Sequence, residues 1–258
     1  MKIKIVILNY NGLAYLPDCL DSVKNINYNN FEIVVIDNNS SDSSVEYMVK
    51  EHASVKIIKI DKNLMFSGGY NYFFNQESED CFYMILNNDT IVDSNILRNF
   101  MLGVDKYGVN NIYGAKIMYA SEPDKIWYAG GEVNLSKGLI RHIGIREKEG
   151  EEVDCETDYI TGCCMFVHSS IIKKLNGFDE RFSMYMEDVD FCLRAQKKGI
   201  KCYFLKKPAL YHKISKSISV SDKIFKNIFS YAKLSIKHSK ALSIVNIPLF
   251  LIRRLLSI

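Results

Sequence analysis

Two acidic clusters have residue types and surroundings that suit a catalytic site. The segment LNNDT closes an apolar run, so Asp89 directly follows a predicted buried strand. The segment MYMEDVDF places Glu187, Asp188 and Asp190 at the start of a predicted helix. A carboxylate at the first place could hold a divalent cation, and one at the second could act as a general base.

The second cluster also has a purely structural interpretation. Acidic residues in the first turn of a helix are stabilised by about 0.3–1 kcal/mol each through the helix dipole. In the catalytic interpretation, Asp188 is a general base at the mouth of a pocket and Glu187 tunes its pKa. The spacing alone leaves both interpretations open, although Asp190 would point to a different helix face from Asp188.

The first half of the chain must position these clusters through alternating strands and helices. Apolar runs with β-branched residues predict strands, and amphipathic segments between them predict helices. The predicted strands cover residues 2–8, 31–37, 55–60 and 81–86. A loop after the third strand leads to a helix that is expected to open near Gly69. Such alternation predicts a mostly parallel sheet covered by helices on both faces.

Asparagine and aspartate recur where these predicted strands stop. They are Asn9, Asp37, Asn63 and the run from Asn87 to Asp89. Because ligands of open α/β sheets bind at the carboxyl ends of the strands, this set suggests a nucleotide. Any one cluster alone is better explained as a turn or a helix cap, since both residue types are common there, but four clusters at equivalent places weaken that interpretation.

The second half of the chain has a different pattern. Residues 111–119 predict a strand, and the glycine-rich segment from Ile126 to Gly144 predicts a hairpin or flap without a helix. Residues 159–170 predict a strand leading into a helix, and residues 201–205 predict a last strand. The length of 258 residues suits one large domain, or a domain with an appendage.

Cysteine usage and charge restrict the compartment and the partners. The seven cysteines are odd in number and form no C-x-x-C pair, and no signal peptide pattern precedes them, which predicts reduced thiols in the cytoplasm. From residue 197 onward, 14 lysines and arginines face a single acid, whereas the preceding residues are acidic. An acidic body suits a metal site, and a basic end suits an anionic surface.

The C-terminal extension, residues 213–258, is predicted to be a basic amphipathic helical tail. Its apolar residues recur at helical spacing between lysines, but no run is long enough to span a membrane. We expect residues 221–258 to lie on the inner leaflet as a peripheral anchor. The alternatives are packing on the catalytic domain and a homodimer seam. Nucleic acid is not expected, because the segment lacks a recognised binding fold.

Taken in order, eight motifs resemble the inverting family-2 glycosyltransferases of GT-A fold, especially their rhamnosyltransferase-like branch. Together they span about residues 3–212. The motifs are VILNYNG (6–12), FEIVVIDNNSSD (31–42), NLMFSGGYN (63–71), LNNDT (86–90), IWYAGG (126–131), TGCCMFVHSS (161–170), GFDERFSMYMEDVDFCLR (177–194) and ALYH (209–212). The resemblance implies an α/β, Rossmann-like catalytic domain over 1–212, with a nucleotide-sugar half (1–110) and an acceptor half (111–212).

The resemblance also implies a role for each matching residue. Asp89 takes the last carboxylate of the family's D-x-D motif, which holds Mn²⁺ or Mg²⁺, and His212 matches a second metal or pyrophosphate contact. Asp188 falls at the catalytic base, beside Glu187. The sugar and acceptor edge would contain Gly162, Cys163 and Trp127. The nucleotide-sugar donor would be lined by Asn9, Tyr10, Asp37, Asn63, Gly69, Asn87 and Asn88.

These roles imply an inverting transfer of a sugar from a dTDP- or UDP-sugar to a hydroxyl. The acceptor would be a saccharide or lipid-linked saccharide in bacterial surface polysaccharide synthesis. One base without a nucleophile fits a single displacement. The D-x-D motif here reads Asn87-Asn88-Asp89 and offers one carboxylate, so weak metal binding is expected without the donor. The alternative is a catalytically inactive nucleotide- or carbohydrate-binding module.

Overall fold

The computed structural model describes residues 1–213, 220–238 and 250, without the side chains of Pro208 and residues 220–225. Within these residues the chain forms twelve strands and seven α-helices. The strands are β1 (Ile3–Asn9), β2 (Phe31–Asp37), β3 (Lys56–Lys59), β4 (Phe82–Asn87), β5 (Thr90–Val92), β6 (Ile112–Tyr119), β7 (Ile126–Tyr128), β8 (Gly131–Asn134), β9 (Leu139–His142), β10 (Cys155–Thr157), β11 (Cys164–His168) and β12 (Cys202–His212). The helices are α1 (Leu16–Lys24), α2 (Ser44–Glu51), α3 (Met65–Phe74), α4 (Ile96–Tyr107), α5 (Ser169–Leu175), α6 (Glu187–Gln196) and α7 (Val220–His238).

One large sheet runs through both halves of the chain. Its strand order is β10-β12-β6-β11-β4-β1-β2-β3, with β5 paired to β12 and β7 paired to β6. The strands β1, β2, β3 and β4 are mutually parallel, whereas β11 runs antiparallel between β4 and β6. The prediction of a mostly parallel α/β sheet is confirmed, and both halves share one hydrophobic core.

The central strands are apolar because helices cover both faces of the sheet. β1 and β4 are buried along almost their whole length, and each ends in an asparagine, Asn9 or Asn87. Uncharged amide side chains thus stand where these two parallel strands end. The carboxyl edge of the sheet is therefore the face that can bind a ligand.

Helix α3 begins earlier than the sequence indicates. It starts at Met65, so Gly69 lies inside the helix rather than at its opening, and that prediction is wrong. Asn63 provides the physical reason, since its side-chain oxygen accepts from Met65 N at 2.8 Å and supports the first turn. Gly69 is needed for packing, because a β-carbon there would lie 2.5 Å from Leu8 Cδ1.

The glycine-rich segment forms the predicted hairpin. Strands β8 and β9 pair antiparallel around a short 3₁₀ turn, Leu135–Lys137. The last strand, β12, extends to His212 and is much longer than the predicted segment 201–205. The extended part of β12 pairs with β5, which follows Asp89 directly. The sequence did not indicate β5.

The described part of the tail, α7, lies against the α/β domain. Its inner face buries Tyr231, Leu234 and Ser235, whereas Phe229 and Ile236 on the other side are about two-thirds exposed. Phe250 stacks on Tyr231 with ring centroids 4.0 Å apart. The rest of the predicted tail, residues 239–249 and 251–258, lies outside the described residues. None of the helices in the described ranges has the length and apolarity that crossing a bilayer requires.

Candidate active site

The ends of β1 and β2 form a hydrogen-bonded polar group. Asn9 Nδ2 donates to Asp37 Oδ1 at 3.3 Å and to Ser40 Oγ at 3.2 Å. Asp37 Oδ2 in turn accepts from Ser40 N at 3.1 Å. Asn9 and Asp37 are both buried. The parallel register places these two residues directly opposite each other, as expected for neighbouring strand ends.

The loop after β4 joins this group through Asn88. Its Nδ2 donates to Asn9 Oδ1 at 2.8 Å. Gly12 leaves the room for this contact, because a β-carbon at that position would collide with the side chains of both Asn88 and Asn9. The structure therefore brings together four residues that were predicted to bind the donor. They come from the ends of β1, β2 and β4 and are Asn9, Asp37, Asn87 and Asn88.

Asn38 was missed by the sequence interpretation, although it organises the edge next to β2. Its Nδ2 donates to Asn63 Oδ1 at 2.9 Å, and its Oδ1 accepts from Leu64 N at 2.9 Å. The only sequence signal was its place directly after Asp37. Tyr10, in contrast, is half exposed and stands at the rim of this polar group.

Asp89 and His212 lie side by side although they are far apart in sequence. The distance from Asp89 Oδ1 to His212 Nε2 is 3.2 Å, and both residues are nearly buried. Their proximity follows from the antiparallel pairing of β5 with β12, in which Thr90 faces His212. Lys213 N also donates to the Asp89 carbonyl at 2.8 Å. The sheet therefore fixes this carboxylate–imidazole pair through the backbone.

This pair has the chemistry of an incomplete Mn²⁺ or Mg²⁺ site. Carboxylate oxygen and imidazole nitrogen are both ligands that Mn²⁺ accepts. His212 Nδ1 is buried and has no hydrogen-bond partner in the described ranges, so this nitrogen is not held by another protein group. No group of three or more His, Cys, Asp or Glu residues among the described residues could hold a metal. The residues fit a cation that takes its other ligands from a bound diphosphate.

Trp127 connects the hairpin region to this pair. Its ring packs edge-on against His212 and against His142, with centroids 4.5 Å apart in both cases. His142 Nδ1 is 3.2 Å from the Trp127 carbonyl oxygen. Trp127 was predicted at the sugar edge, and the structure places it in contact with the candidate metal ligand.

Asp188 stands at the second position of α6 with both carboxylate oxygens hydrogen-bonded. Oδ2 accepts from Gly162 N at 2.9 Å, and Oδ1 accepts from Val189 N at 2.8 Å. Burial raises the pKa of the Asp188 carboxyl in spite of these bonds. A raised pKa makes a carboxylate a stronger proton acceptor, as a general base requires.

Glu187 and Asp190 differ sharply from Asp188. Glu187 is buried, its Oε2 has no hydrogen-bond partner, and burial together with the neighbouring Asp188 raises its pKa well above the usual range. Burial also opposes ionisation of Asp190, but hydrogen bonds from His238, Lys237 and Arg194 outweigh it and lower the pKa. Asp190 is thus a paired structural anion, which agrees with its expected different helix face.

The turn before β11 connects the two acidic sites. Asn87 N donates to the Cys163 carbonyl at 3.0 Å, and the preceding Gly162 N reaches Asp188. Gly162 has no space for a side chain, because a β-carbon would lie 2.7 Å from Phe66 Cζ. Burial raises the pKa of the Cys163 thiol well above its usual range, which disfavours the reactive thiolate form.

A family model described as glycosyl transferase family 2 matches residues 4–175. Among curated relatives, the low-salt glycan biosynthesis hexosyltransferase Agl10 of Haloferax volcanii is 23% identical over 205 residues. That alignment covers 77% of this chain and 62% of Agl10, so the chain spans less than two thirds of that relative. The rhamnosyltransferase WbbL of Escherichia coli is 22% identical over 214 residues, covering 78% of this chain and 79% of WbbL.

A solved structure of GalNAc-T7 with UDP, GalNAc and Mn²⁺ has the same fold. It superposes with a TM-score of 0.73 at 15% identity, covering 92% of this chain and 48% of that chain. The predicted GT-A fold is therefore confirmed. The family match ends before Asp188 and His212, so the roles of these two residues rest on their geometry in this chain.

Proposed function

The chain belongs to glycosyl transferase family 2, and on this premise we propose that it transfers a sugar from a nucleoside diphosphate donor to a hydroxyl group with inversion. The acceptor class is a saccharide or lipid-linked saccharide of a surface polysaccharide. Relatives named as a hexosyltransferase and a rhamnosyltransferase support a hexosyl or deoxyhexosyl donor. We propose that UDP or dTDP carries this sugar.

The donor would bind along the carboxyl edge of β1, β2 and β4. Asn9, Asp37 and Asn88 are neutral or acidic groups that are already linked by hydrogen bonds, which suits ribose hydroxyls and base edges. Tyr10 at the rim and Asn63 next to Asn38 extend this surface. The grouping of these residues at one edge supports the assignment.

Asp89 and His212 would hold the divalent cation, Mn²⁺ or Mg²⁺. When bound, such a cation neutralises negative charge on a leaving diphosphate. The protein's own part is to keep the carboxylate and the imidazole 3.2 Å apart in a nearly buried position. A single protein carboxylate also leaves room for phosphate oxygens as the remaining ligands.

Asp188 would accept the proton of the acceptor hydroxyl, and the acceptor oxygen would attack the anomeric carbon as the diphosphate departs. Gly162 N and Val189 N fix the orientation of the carboxylate. Glu187 is buried beside it, and burial together with the neighbouring Asp188 raises the pKa of Glu187, which disfavours a second negative charge there. Gly162, Cys163 and Trp127 would border the transferred sugar and the acceptor.

The observation that carries this proposal is the joint placement of the Asp89–His212 pair and Asp188 through the 162–163 turn. A screen of nucleotide sugars tests it by measuring the released nucleoside diphosphate, with and without Mn²⁺. We expect one UDP- or dTDP-sugar to be turned over in the presence of a saccharide acceptor, and turnover to stop on chelation. Nucleotide binding without any turnover would instead identify a catalytically inactive binding module.

The exposed face of α7 supports a second part of the proposal, contact with the inner leaflet of the membrane. Phe229 and Ile236 are seven residues apart and exposed on one side of the helix, with the exposed Lys226 nearby. Apolar side chains flanked by lysines suit an anionic lipid surface. The protein would then encounter a lipid-linked acceptor at the membrane surface in which the lipid is embedded.

The double substitution Phe229→Ser and Ile236→Ser is expected to weaken binding to vesicles of phosphatidylglycerol and phosphatidylethanolamine by about tenfold or more, because two apolar side chains no longer insert. Cosedimentation measures this change. Leu102→Ser, on the exposed face of α4, is the matched control and should bind like the wild type. Equal binding of the double variant and the wild type would exclude α7 as the contact surface.

A further inference from the structure

The inner face of α7 contacts the loop that precedes Asp188 in the chain and the turn of the β8–β9 hairpin. Ser230 Oγ donates to the Met184 carbonyl at 3.0 Å, within the loop between α5 and α6. The adjacent Tyr231 hydroxyl donates to the Leu135 carbonyl at 3.4 Å, in the turn of the β8–β9 hairpin. Neighbouring residues of one helix therefore bond to the loop and to the hairpin.

Lysines further along the helix extend the same attachment. Lys233 Nζ donates to the Arg181 carbonyl at 2.8 Å. Lys237 Nζ lies 2.6 Å from both Asp179 Oδ2 and Asp190 Oδ1. Together with Ser230, these contacts reach the loop at its start and close to its end, and they reach α6 two residues beyond Asp188.

Asp190 is the buried centre of this attachment. It has no exposed surface, and it pairs with Arg194 of its own helix at 2.8 Å and with His238 at 2.7 Å, in addition to Lys237. Removing the partners of a buried carboxylate is strongly destabilising. Two of these three partners come from α7, so the Asp190 carboxylate in the first turn of α6 depends on α7 for its stabilisation.

The loop held by α7 has a backbone that needs external support. Tyr185 and Met186 both have φ of 68°, in the left-handed region that non-glycine residues rarely adopt. Such conformations persist where surrounding contacts impose them. Glu187 and Asp188 follow directly, so the position of the Asp188 carboxylate depends on these two residues.

We propose that α7 is a positioning element for the acceptor side of the reaction, holding residues 179–186 so that Asp188 faces the acceptor hydroxyl. This inference rests on the proposed function, because it assigns Asp188 the role of base. The α7 contacts described above reach the loop, α6 and the hairpin turn, whereas the donor-side group of Asn9, Asp37 and Asn88 is held together by separate hydrogen bonds. Loosening α7 should therefore slow transfer without weakening nucleotide binding.

The test uses the full chain carrying Ser230→Ala together with Lys237→Met. We expect kcat for transfer to fall by about 10–100-fold, since small misplacements of reacting groups are costly, while the donor KM changes less than about twofold. Hydrogen exchange of the backbone amides in 182–190 should accelerate in the absence of any substrate. When Lys237→Arg replaces Lys237→Met in this double variant, the charge at position 237 is retained and most of the wild-type kcat should return.

Lys106→Met is the matched control, because Lys106 also pairs with an aspartate, Asp154, but lies at the far end of α4. Unchanged kcat and unchanged exchange in the double variant would overturn the proposal. Loss of nucleotide binding together with turnover would also overturn it and make α7 a general folding element. If the wild type turned over no nucleotide sugar, the proposed function would fail, whereas hydrogen exchange would still show whether α7 holds the loop.

Discussion

Replacing Asp188 with asparagine is expected to lower kcat by about 10²–10⁴-fold, the usual contribution of a general base. The amide side chain keeps the size of the carboxylate but cannot accept the acceptor proton. Nucleotide binding should persist, because Asp188 bonds to Gly162 and Val189 and not to the donor-side residues. Release of nucleoside diphosphate measures the first effect, and equilibrium nucleotide binding measures the second.

The pH profile of the wild-type enzyme gives an independent check of this assignment. A base is active when deprotonated, so kcat/KM should rise with pH as Asp188 loses its proton. Because burial raises the pKa of Asp188, the midpoint should lie above the ordinary aspartate value of about 3.9. Asp105→Asn, an exposed position on α4, is the control and should retain the rate and the profile. Turnover of Asp188→Asn at the wild-type rate would contradict the role of Asp188.

Replacing Asp89 with asparagine should cost roughly 10³-fold in metal-dependent turnover, because several kcal/mol of charge stabilisation depend on the metal site. Asparagine retains an oxygen but loses the only carboxylate in the NNDT segment. Raising the Mn²⁺ concentration should recover part of the rate, since His212 and the donor diphosphate remain. The same Asp105→Asn variant is again the control.

Metal binding to the donor-free protein is a second test of the proposed cation site at Asp89 and His212. Trp127 is the only tryptophan and contacts His212, so its fluorescence should report occupancy of the site. With one carboxylate and one imidazole available, we expect weak Mn²⁺ binding that strengthens when nucleoside diphosphate is added. Tight Mn²⁺ binding to the empty protein would show that further ligands exist.

The parallel half of the fold could be predicted from the sequence because its signals are local. Strand β2 matches the predicted run 31–37 from end to end, and Asn9, Asp37 and Asn88 meet because parallel strands end at one edge. Helix geometry also predicted that Asp190 would point to a different face from Asp188, and Asp190 does pair with Arg194, Lys237 and His238.

Non-local pairing could not be predicted in the same way. Strand β5 has three residues, too few for a periodic signal, yet its pairing with β12 places His212 beside Asp89. The early start of α3 depends on side-chain contacts of Asn38 and Asn63 rather than on residue spacing. The contacts of α7 with residues 179–190 likewise join segments whose proximity only the folded chain defines.

The pairing of β5 with β12 has a consequence for how the protein is made. Asp89 emerges from the ribosome long before His212, and β12, which carries His212, lies beyond β11 and β6 from the parallel strands. Pairing of distant segments is slow, because closing the long loop between them costs entropy. A nascent chain can therefore assemble the nucleotide-facing edge early, but the cation site would close only when the last strand docks. Metal-dependent activity would then report completion of the entire sheet.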